Sequence, residues 1–439
     1  MSRMPFAFPH GLGTLTEPHS HRPVAFDMEW NPQRDAALSQ LARFTPNMGR
    51  RYANRRNHDE GKAGGNVSRL SPWLHAGVVS EAEVLQAALG QHSPEAAEKF
   101  IAEVFWRIYF KGYLEQRPSI WRAFCDQRDA ALSCFESDPV THGLFEQATS
   151  GQTGIEAFDH WARELGETGY LHNHARMWFA SIWIFTLKLD WTLGADFFLR
   201  HLIDGDAASN TLSWRWIAGL HTKGKTYLAR PDNIAQYTQS HPDGPLLARG
   251  LAQDAPPLTE PEEHAHRPLA LPPGANTIPQ TYALLLHDEA ASHVPFDLPH
   301  PPALVISAAR PDDRSPRQIG GLVRDFAMQS VQHGGEAAAE TFGCPHVGWQ
   351  SGNSLVNIMA DTKLSHIVTS YLPMGWTRDA LWPELAPLAD KGSLIQLTSA
   401  LERATWPHAK AGFFGVKKIM YKAMREAGVA ARQLELFDA

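Results

Sequence analysis

Residues 166–216 read GETGYLHNHARMWFASIWIFTLKLDWTLGADFFLRHLIDGDAASNTLSWRW. Asn173, flanking histidines His172 and His174, Arg176 and the two acids of an Asp204-Gly205-Asp206 turn are set, with several Trp, around one thoroughly apolar helix. Burying such polar groups is costly unless each finds a partner. Set in an aromatic-rich core, they imply a large, flat, partly charged ligand held deep inside. The longest strongly apolar run, Met177 to Leu187, is shorter than the ~20 residues of a bilayer span and reads as a buried helix.

Outward from this stretch, residues 35–225 alternate amphipathic segments with short turns and almost no period-2 runs, which predicts an all-α domain. Residues 239–277 are rich in Pro, Ala and acid and read as a linker. Beyond it the texture changes. Short apolar runs at Tyr282–Leu286, Leu304–Ser307, His366–Tyr371 and Ser393–Leu397 alternate with helical stretches, one of them from about Arg317 to Thr341, and predict a smaller parallel α/β domain of Rossmann-like type. No Gly-rich phosphate fingerprint opens its first helix. The expected organisation is an N-terminal extension over 1–35, a helical domain over 36–238, a linker over 239–277 and an α/β domain over 278–439.

A chain of 439 residues is long enough for two cores. The formal charge is −7, and residues 1–240 carry 24 basic and 26 acidic side chains, so any nucleic-acid contact must come from a local patch. Three cysteines (Cys125, Cys134, Cys344) fit neither a disulfide framework nor a thiolate cluster. With no signal pattern, the expected setting is the cytoplasm, away from membranes. The histidines lack metal spacing with any Cys, so no metal is assigned.

Three further segments carry chemistry. In Asn66-Val67-Ser68-Arg69-Leu70-Ser71-Pro72, Ser71 is placed to cap a helix that Pro72 opens, and the exposed amides would suit a pyrophosphate. A Ser-Pro cap with no further role is the plainer reading. Tyr52 and Arg56 lie one turn apart in a basic cluster, as in a nucleic-acid patch or a solvated helix face. Glu103, Trp106 and Arg107 share one helix face by their i, i+3, i+4 spacing, and Asn173, Arg176 and Met177 repeat that spacing. An ordinary salt bridge beside a core Trp would give the first of these patterns as well.

In order and approximate spacing, these segments resemble the flavin-binding helical domain of the photolyase/cryptochrome family, closest in kind to the class I cyclobutane pyrimidine dimer photolyases. The resemblance covers roughly 36–216. It rests on Tyr52, VSRLSP at 67–72, EVFWR at 103–107, TGYLHNHARM at 168–177, LDW at 189–191 and DGDAASNTLSWRW at 204–216. It implies a U-shaped FAD with its phosphates on Val67, Ser68, Arg69, Leu70 and Ser71 near Tyr52. Arg107, Asn173, Arg176, Asp204, Gly205, Asp206 and Asn210 would line its ring and sugar. The position of Asn210 is the one that meets the flavin N5 edge and favours the fully reduced state. Glu103, Trp106, Asn173, Met177 and Trp216 match positions that touch a flipped pyrimidine dimer, and Trp191 and Trp214 match the inner members of a photoreduction relay. Arg56 and His174 would face DNA, with Lys223 and Lys225 nearby.

The implied function is light-driven repair of UV-damaged DNA, one electron passing from excited, reduced FAD to the dimer. The alternatives are a cryptochrome-like blue-light sensor and a flavoprotein scaffold without photochemistry. This chain departs from the pattern in four ways. His174 replaces Arg, Val67 replaces Thr, and Phe135 stands at the outer relay position. The α/β texture follows the helical domain instead of preceding it, which suggests a permuted order of the same two domains or an unrelated α/β module. The residues specify no antenna pigment and no protein partner.

Overall fold

The computed structural model describes residues 30–439 apart from 63, 262, 273–277, 431–433 and 435–439, so most of the expected extension over 1–35 lies outside the described residues. Helices fill the chain from Arg34 to Tyr237, and the first strand begins at Ala283. The longest helix of this half, Pro94–Glu115, shows why. Ser93 caps it by accepting from Ala96 N–H, and Pro94 sits in the first turn, where its missing N–H costs nothing. Ala97, Phe100, Ile101, Val104, Phe105 and Ile108 recur at helical period and are buried. Fully burying a side chain such as Phe105 stabilises by about 2–3 kcal/mol. At Gly112 the helix backbone lies against the Trp406 ring, and a Cβ there would come within 2.5 Å of it.

The apolar run of the quoted stretch is a helix over Asn173–Ser181 that widens at Ile182–Thr186, where Leu187 N–H donates to Ile182 C=O five residues back. Trp178, Phe179, Trp183 and Phe185 pack there in one cluster with Trp214.

After the helices, the Pro-rich stretch expected as a linker runs over the helical half instead of standing free. Leu246, Ala248 and Leu251 are buried. Its backbone donates from Leu258 N–H to Ala218 C=O (2.9 Å) and from Arg267 N–H to Gln116 C=O (2.8 Å). Pro and Ala explain the lack of regular structure, but the apolar side chains between them decide that the segment is held.

The second half holds a five-stranded, wholly parallel sheet: β1 Ala283–His287, β2 Leu304–Ala308, β3 His346–Gly348, β4 Ile367–Ser370 and β5 Leu394–Leu397, in the order β3-β2-β1-β4-β5. Alternation along β1 separates two cores. Ala283 and Leu285 face one cluster, and Leu284 and Leu286, with Tyr282 just before the strand, face the other. Four of the five strands fall on the runs expected from sequence. The three-residue edge strand β3 does not, being too short and too exposed to leave a pattern. The helix expected from Arg317 begins at Gly321, after an extended Gly320. Strand order reverses about β1, so its C-terminal end is the switch point where open α/β sheets ordinarily take ligands. His287, Asp288 and Glu289 stand there.

Asn31–Ala439 form one compact unit, and Trp376 of the α/β half belongs to the apolar cluster of the helical half. Among the described residues no helix is long and apolar enough to cross a membrane.

Candidate functional site

The turn Asp204-Gly205-Asp206 lies buried at the centre of the molecule. Asp206 caps the helix Ala207–Ile217 by accepting from Ser209 N–H (2.7 Å), while its other oxygen takes Arg107 Nη1 at 3.1 Å. Burial alone would raise the Asp206 carboxyl; Arg107, His75 and Lys111 outweigh it and hold it well below the usual carboxylate range. Asp204 accepts from Arg176 Nη2 at 2.9 Å. Against burial, Arg176 and the Ser71 hydroxyl hold this carboxyl low too. Arg107 also donates through Nε to Glu81 (2.9 Å). Two Arg–acid pairs therefore form, from residues 28 and 99 positions apart. Asn210, nearly buried on the next helical turn, donates from Nδ2 to Ala195 C=O (2.8 Å).

A second layer comes from the α/β half and has no counterpart in the sequence reading. Arg314, only 2% exposed, donates to Leu202 C=O (2.9 Å) and Ile203 C=O (3.3 Å) and lies 3.3 Å from His75 Nε2. Its guanidinium sits 4.8 Å from the centre of the Trp376 ring, and Trp376 Nε1 donates to Gly205 C=O (3.2 Å). A Cβ on residue 205 would come within 2.6 Å of Arg314 Nη1, so the glycine is what lets the cation close on the turn. Glu289, from the switch point, pairs with Lys111 at 2.7 Å, and Lys111 lies 3.9 Å from Asp206. The crevice at the end of β1 is thus occupied by contacts to the helical half. The one local signal was Lys111, four residues after Arg107 on the same helix face.

The phosphate-cradle segment differs from expectation in one respect. The helix there is Ser71–His75, five residues, with Leu70 in the capping position and no side-chain cap. Ser71 faces Asp204 instead of capping, and so short a helix brings little dipole. The backbone supplies what the helix does not. Arg69 takes φ +54°, a conformation rare for a side-chain-bearing residue, which turns successive amides toward a common side. Arg69 and Arg176 approach Tyr170, with guanidinium carbons 4.9 and 5.4 Å from the ring centre. Tyr170 was within the quoted motif but not singled out. Val67, Ser68, Arg69 and Ser71 keep part of their surface; Leu70 is buried, as is Tyr52, whose ring packs on Phe44 and Phe100.

The residues expected to meet a lesion form a partly open rim. Glu103, Trp106, Met177 and Trp216 are half-buried and Asn173 is exposed. Three of the expected residues have partners within the protein. Arg56 Nη1 donates to Glu103 at 2.7 Å. His174 has both ring nitrogens engaged, with Asn57 C=O (2.9 Å) and the Tyr227 hydroxyl (3.2 Å), and stacks on Trp178 at 4.0 Å. Phe413 covers one face of Trp106, with ring centres 4.0 Å apart and 12° between planes, while Trp216 lies against Tyr227. Of the flanking lysines, Lys223 pairs with Glu263. Burial pushes the Glu103 carboxyl up, with Arg56 opposing.

Of the two relay candidates, Trp214 adjoins Trp183 (6.3 Å, 87°) and Phe198 (5.2 Å), whereas Trp191 adjoins Phe124 (5.8 Å). Gly194 makes the first contact possible, since a Cβ would lie 2.3 Å from the Trp214 ring. Phe135 packs on Phe145, which abuts Trp183 (5.8 Å).

A flavin nucleotide needs amides for its phosphates and, at its ring, both donors and acceptors in a dry setting. These residues fit it. Asp204 Oδ1 and Trp214 Nε1 are buried without a protein hydrogen bond of normal geometry, and the Arg176 side chain, paired with Asp204, keeps about a quarter of its surface open.

Comparison with known proteins agrees. Residues 100–286 match the family model described as the FAD binding domain of DNA photolyase. Tyr52 and residues 67–71 precede that segment. The deoxyribodipyrimidine photo-lyase of Streptomyces griseus is 36% identical over 190 residues, 40% of each chain. That of Thermus thermophilus is 33% identical over 218 residues, 50% of each chain. The chain thus spans about half the length of the curated relatives it matches, or less. Among solved structures, a bacterial class III photolyase from Agrobacterium tumefaciens is 29% identical with a TM-score of 0.40, covering 48% of this chain and 45% of its own. A Synechocystis cryptochrome is 26% identical with a TM-score of 0.41, covering 48% and 44%. Residues 100–286, somewhat under half of the chain, are thus similar to the FAD binding domain of DNA photolyase.

Proposed function

We propose that this chain is a light-driven DNA-repair flavoprotein acting on cyclobutane pyrimidine dimers. The observation that carries the reading is the convergence of two buried Arg–Asp pairs, Arg107–Asp206 and Arg176–Asp204, beneath a half-open rim of Glu103, Trp106 and Met177. Bound FAD would supply a light-driven transfer and recovery of one electron, so neither a nucleophile nor a metal is asked of the protein. Arg176, Asp204, Asp206 and Asn210 would hold the ring, and the amides of 67–71 the phosphates. Trp106 and Trp216 offer planes for an extruded base pair, and Glu103 and Asn173 hydrogen-bonding groups for base edges.

A second reading, a blue-light sensor, draws on Phe413 over Trp106 and on Arg56 against Glu103, since both occupy groups a lesion would use. One experiment separates the two. Protein loaded with FAD and reduced is illuminated with blue light in the presence of a dimer-containing oligothymidylate. Restored thymine absorbance supports repair, and a flavin that cycles under light with the dimer intact supports sensing. Glu103→Ala is expected to lower repair per photon while leaving FAD bound; loss of FAD instead would contradict the role given to Glu103.

A further inference from the structure

Between Arg403 and Arg425 the chain carries six basic side chains and no acid, in a protein whose formal charge is −7. This segment is firmly seated. Val416, Met420, Ala423 and Met424 are buried. Tyr109 donates to Ala411 C=O (2.7 Å), Arg117 to Lys410 C=O (2.7 Å) and Tyr421 to Pro94 C=O (3.0 Å). What it turns outward is basic and aromatic. Lys410 and Lys418 are exposed. Lys417 reaches Glu98 at 2.9 Å, beside the exposed Lys99. Phe414, 78% exposed, is the most exposed large apolar side chain among the described residues. Its neighbour Phe413 is the ring stacked on Trp106.

A run of lysines is most often a solvated face, and a lone exposed Phe needs no explanation. Their position argues otherwise. The segment borders Trp106, one of the two Trp whose planes are offered to a base, and an anchored backbone presents cations and a bare ring together. Ammonium groups meet phosphates, and an aromatic side chain stacks on any base or wedges between base steps. We propose that residues 406–425 are a DNA-facing surface of the α/β half, with Lys410 and Lys418 on backbone phosphates and Phe414 against the bases flanking the Trp106 seat. The proposal rests on the repair reading for its partner and on the seating of this segment for its geometry.

The test uses the full chain loaded with FAD and three variants: Lys410→Gln with Lys418→Gln, Phe414→Ala, and Val140→Ala, an equally exposed apolar site elsewhere, as control. Affinity is measured for plain and dimer-containing duplex DNA over a salt series, and photorepair on a short single-stranded oligothymidylate. The lysine pair should weaken both duplexes and flatten the slope of log affinity against log salt by about 2. Phe414→Ala should weaken the dimer-containing duplex roughly tenfold with the slope unchanged. FAD content and the unfolding midpoint should be unchanged in all three, and repair of the short oligonucleotide unchanged in Val140→Ala. Wild-type slopes and affinities in both variants overturn the proposal, as does a wild-type chain that does not bind duplex DNA. Loss of binding to anionic phosphatidylserine vesicles with DNA binding intact would also overturn it, in favour of a membrane surface. Failure of the wild-type chain to repair the oligonucleotide, with the slope changes present, sinks the repair reading and leaves the DNA surface standing.

Discussion

Arg314→Met is the sharpest test of the idea that the α/β half completes the flavin site. In the folded protein Arg314 is the hydrogen-bond donor to Leu202 and Ile203 C=O, both at the entry to the acid turn. Met keeps an apolar stem against Trp376 but leaves Ile203 C=O without its donor, at about 1–3 kcal/mol, while Leu202 C=O keeps the Gly205 N–H at 3.0 Å. Removing the cation also removes its desolvation, which burial makes severe enough to bring the guanidinium down to about 10. With that penalty relieved, the net loss expected is about 1–2 kcal/mol. Trp376→Phe is the companion, forfeiting a single hydrogen bond to Gly205 C=O for about 1 kcal/mol. The assay is urea unfolding of the FAD-free protein followed by Trp fluorescence, with FAD titrated separately. Arg314→Met should lower both the unfolding midpoint and FAD affinity, and Arg314→Lys should recover only part, because an ammonium cannot fork to two carbonyls. An unchanged midpoint, or a lowered midpoint with wild-type FAD affinity, would refute the claim that this residue holds the turn.

Asp288 offers a pH signature. Burial pushes its carboxyl up to about 7, so it is protonated when folded and ionised when unfolded across the weakly acidic range. Its contribution is fully present below about pH 4 and disappears as pH rises to about 7, a span of about 4 kcal/mol at most. Asp288→Asn should flatten the stability profile over that window and stabilise the protein at pH 8; a profile unchanged from wild type would contradict it. Arg176→Ala should cost about 3–5 kcal/mol by stranding Asp204, and Arg176→Ala with Asp204→Asn less than the two singles together, as a double-mutant cycle in unfolding will show. Trp214→Phe should slow photoreduction of bound flavin, and Trp183→Phe should slow it as well if the nearest ring carries the electron; transient absorption with Trp183→Phe at the wild-type rate returns the relay to Trp191.

How much was legible in sequence follows from how far each contact reaches. The i, i+4 faces and the Asp204-Gly205-Asp206 turn are local, so Arg107, Arg176 and the cap at Asp206 could be named from spacing. Four of the strands were visible because a sheet buried on both faces must be apolar throughout. Arg314 and Trp376 were invisible, since nothing near either residue in sequence refers to a turn more than a hundred positions earlier. The pairing of Arg56 with Glu103 spans 47 positions, so spacing on neither helix announced it. Ser71 was misjudged as a cap because Ser-Pro is read from local grammar, whereas Asp204 claims its hydroxyl. The linker showed its composition and hid its anchorage: Pro and Ala say that a segment lacks helix or strand, not whether it is free.

The lateness of Arg314 and Trp376 has a consequence for biogenesis. A nascent chain leaves the ribosome from its N-terminus, so Lys111, Asp206 and His75 are made well before Glu289 and Arg314. Until synthesis passes Trp376, the helices would hold an unsealed acidic hinge with its carbonyls wet. Tight capture of the cofactor is therefore expected only after Trp376 has been made, and not by the first-made helices alone.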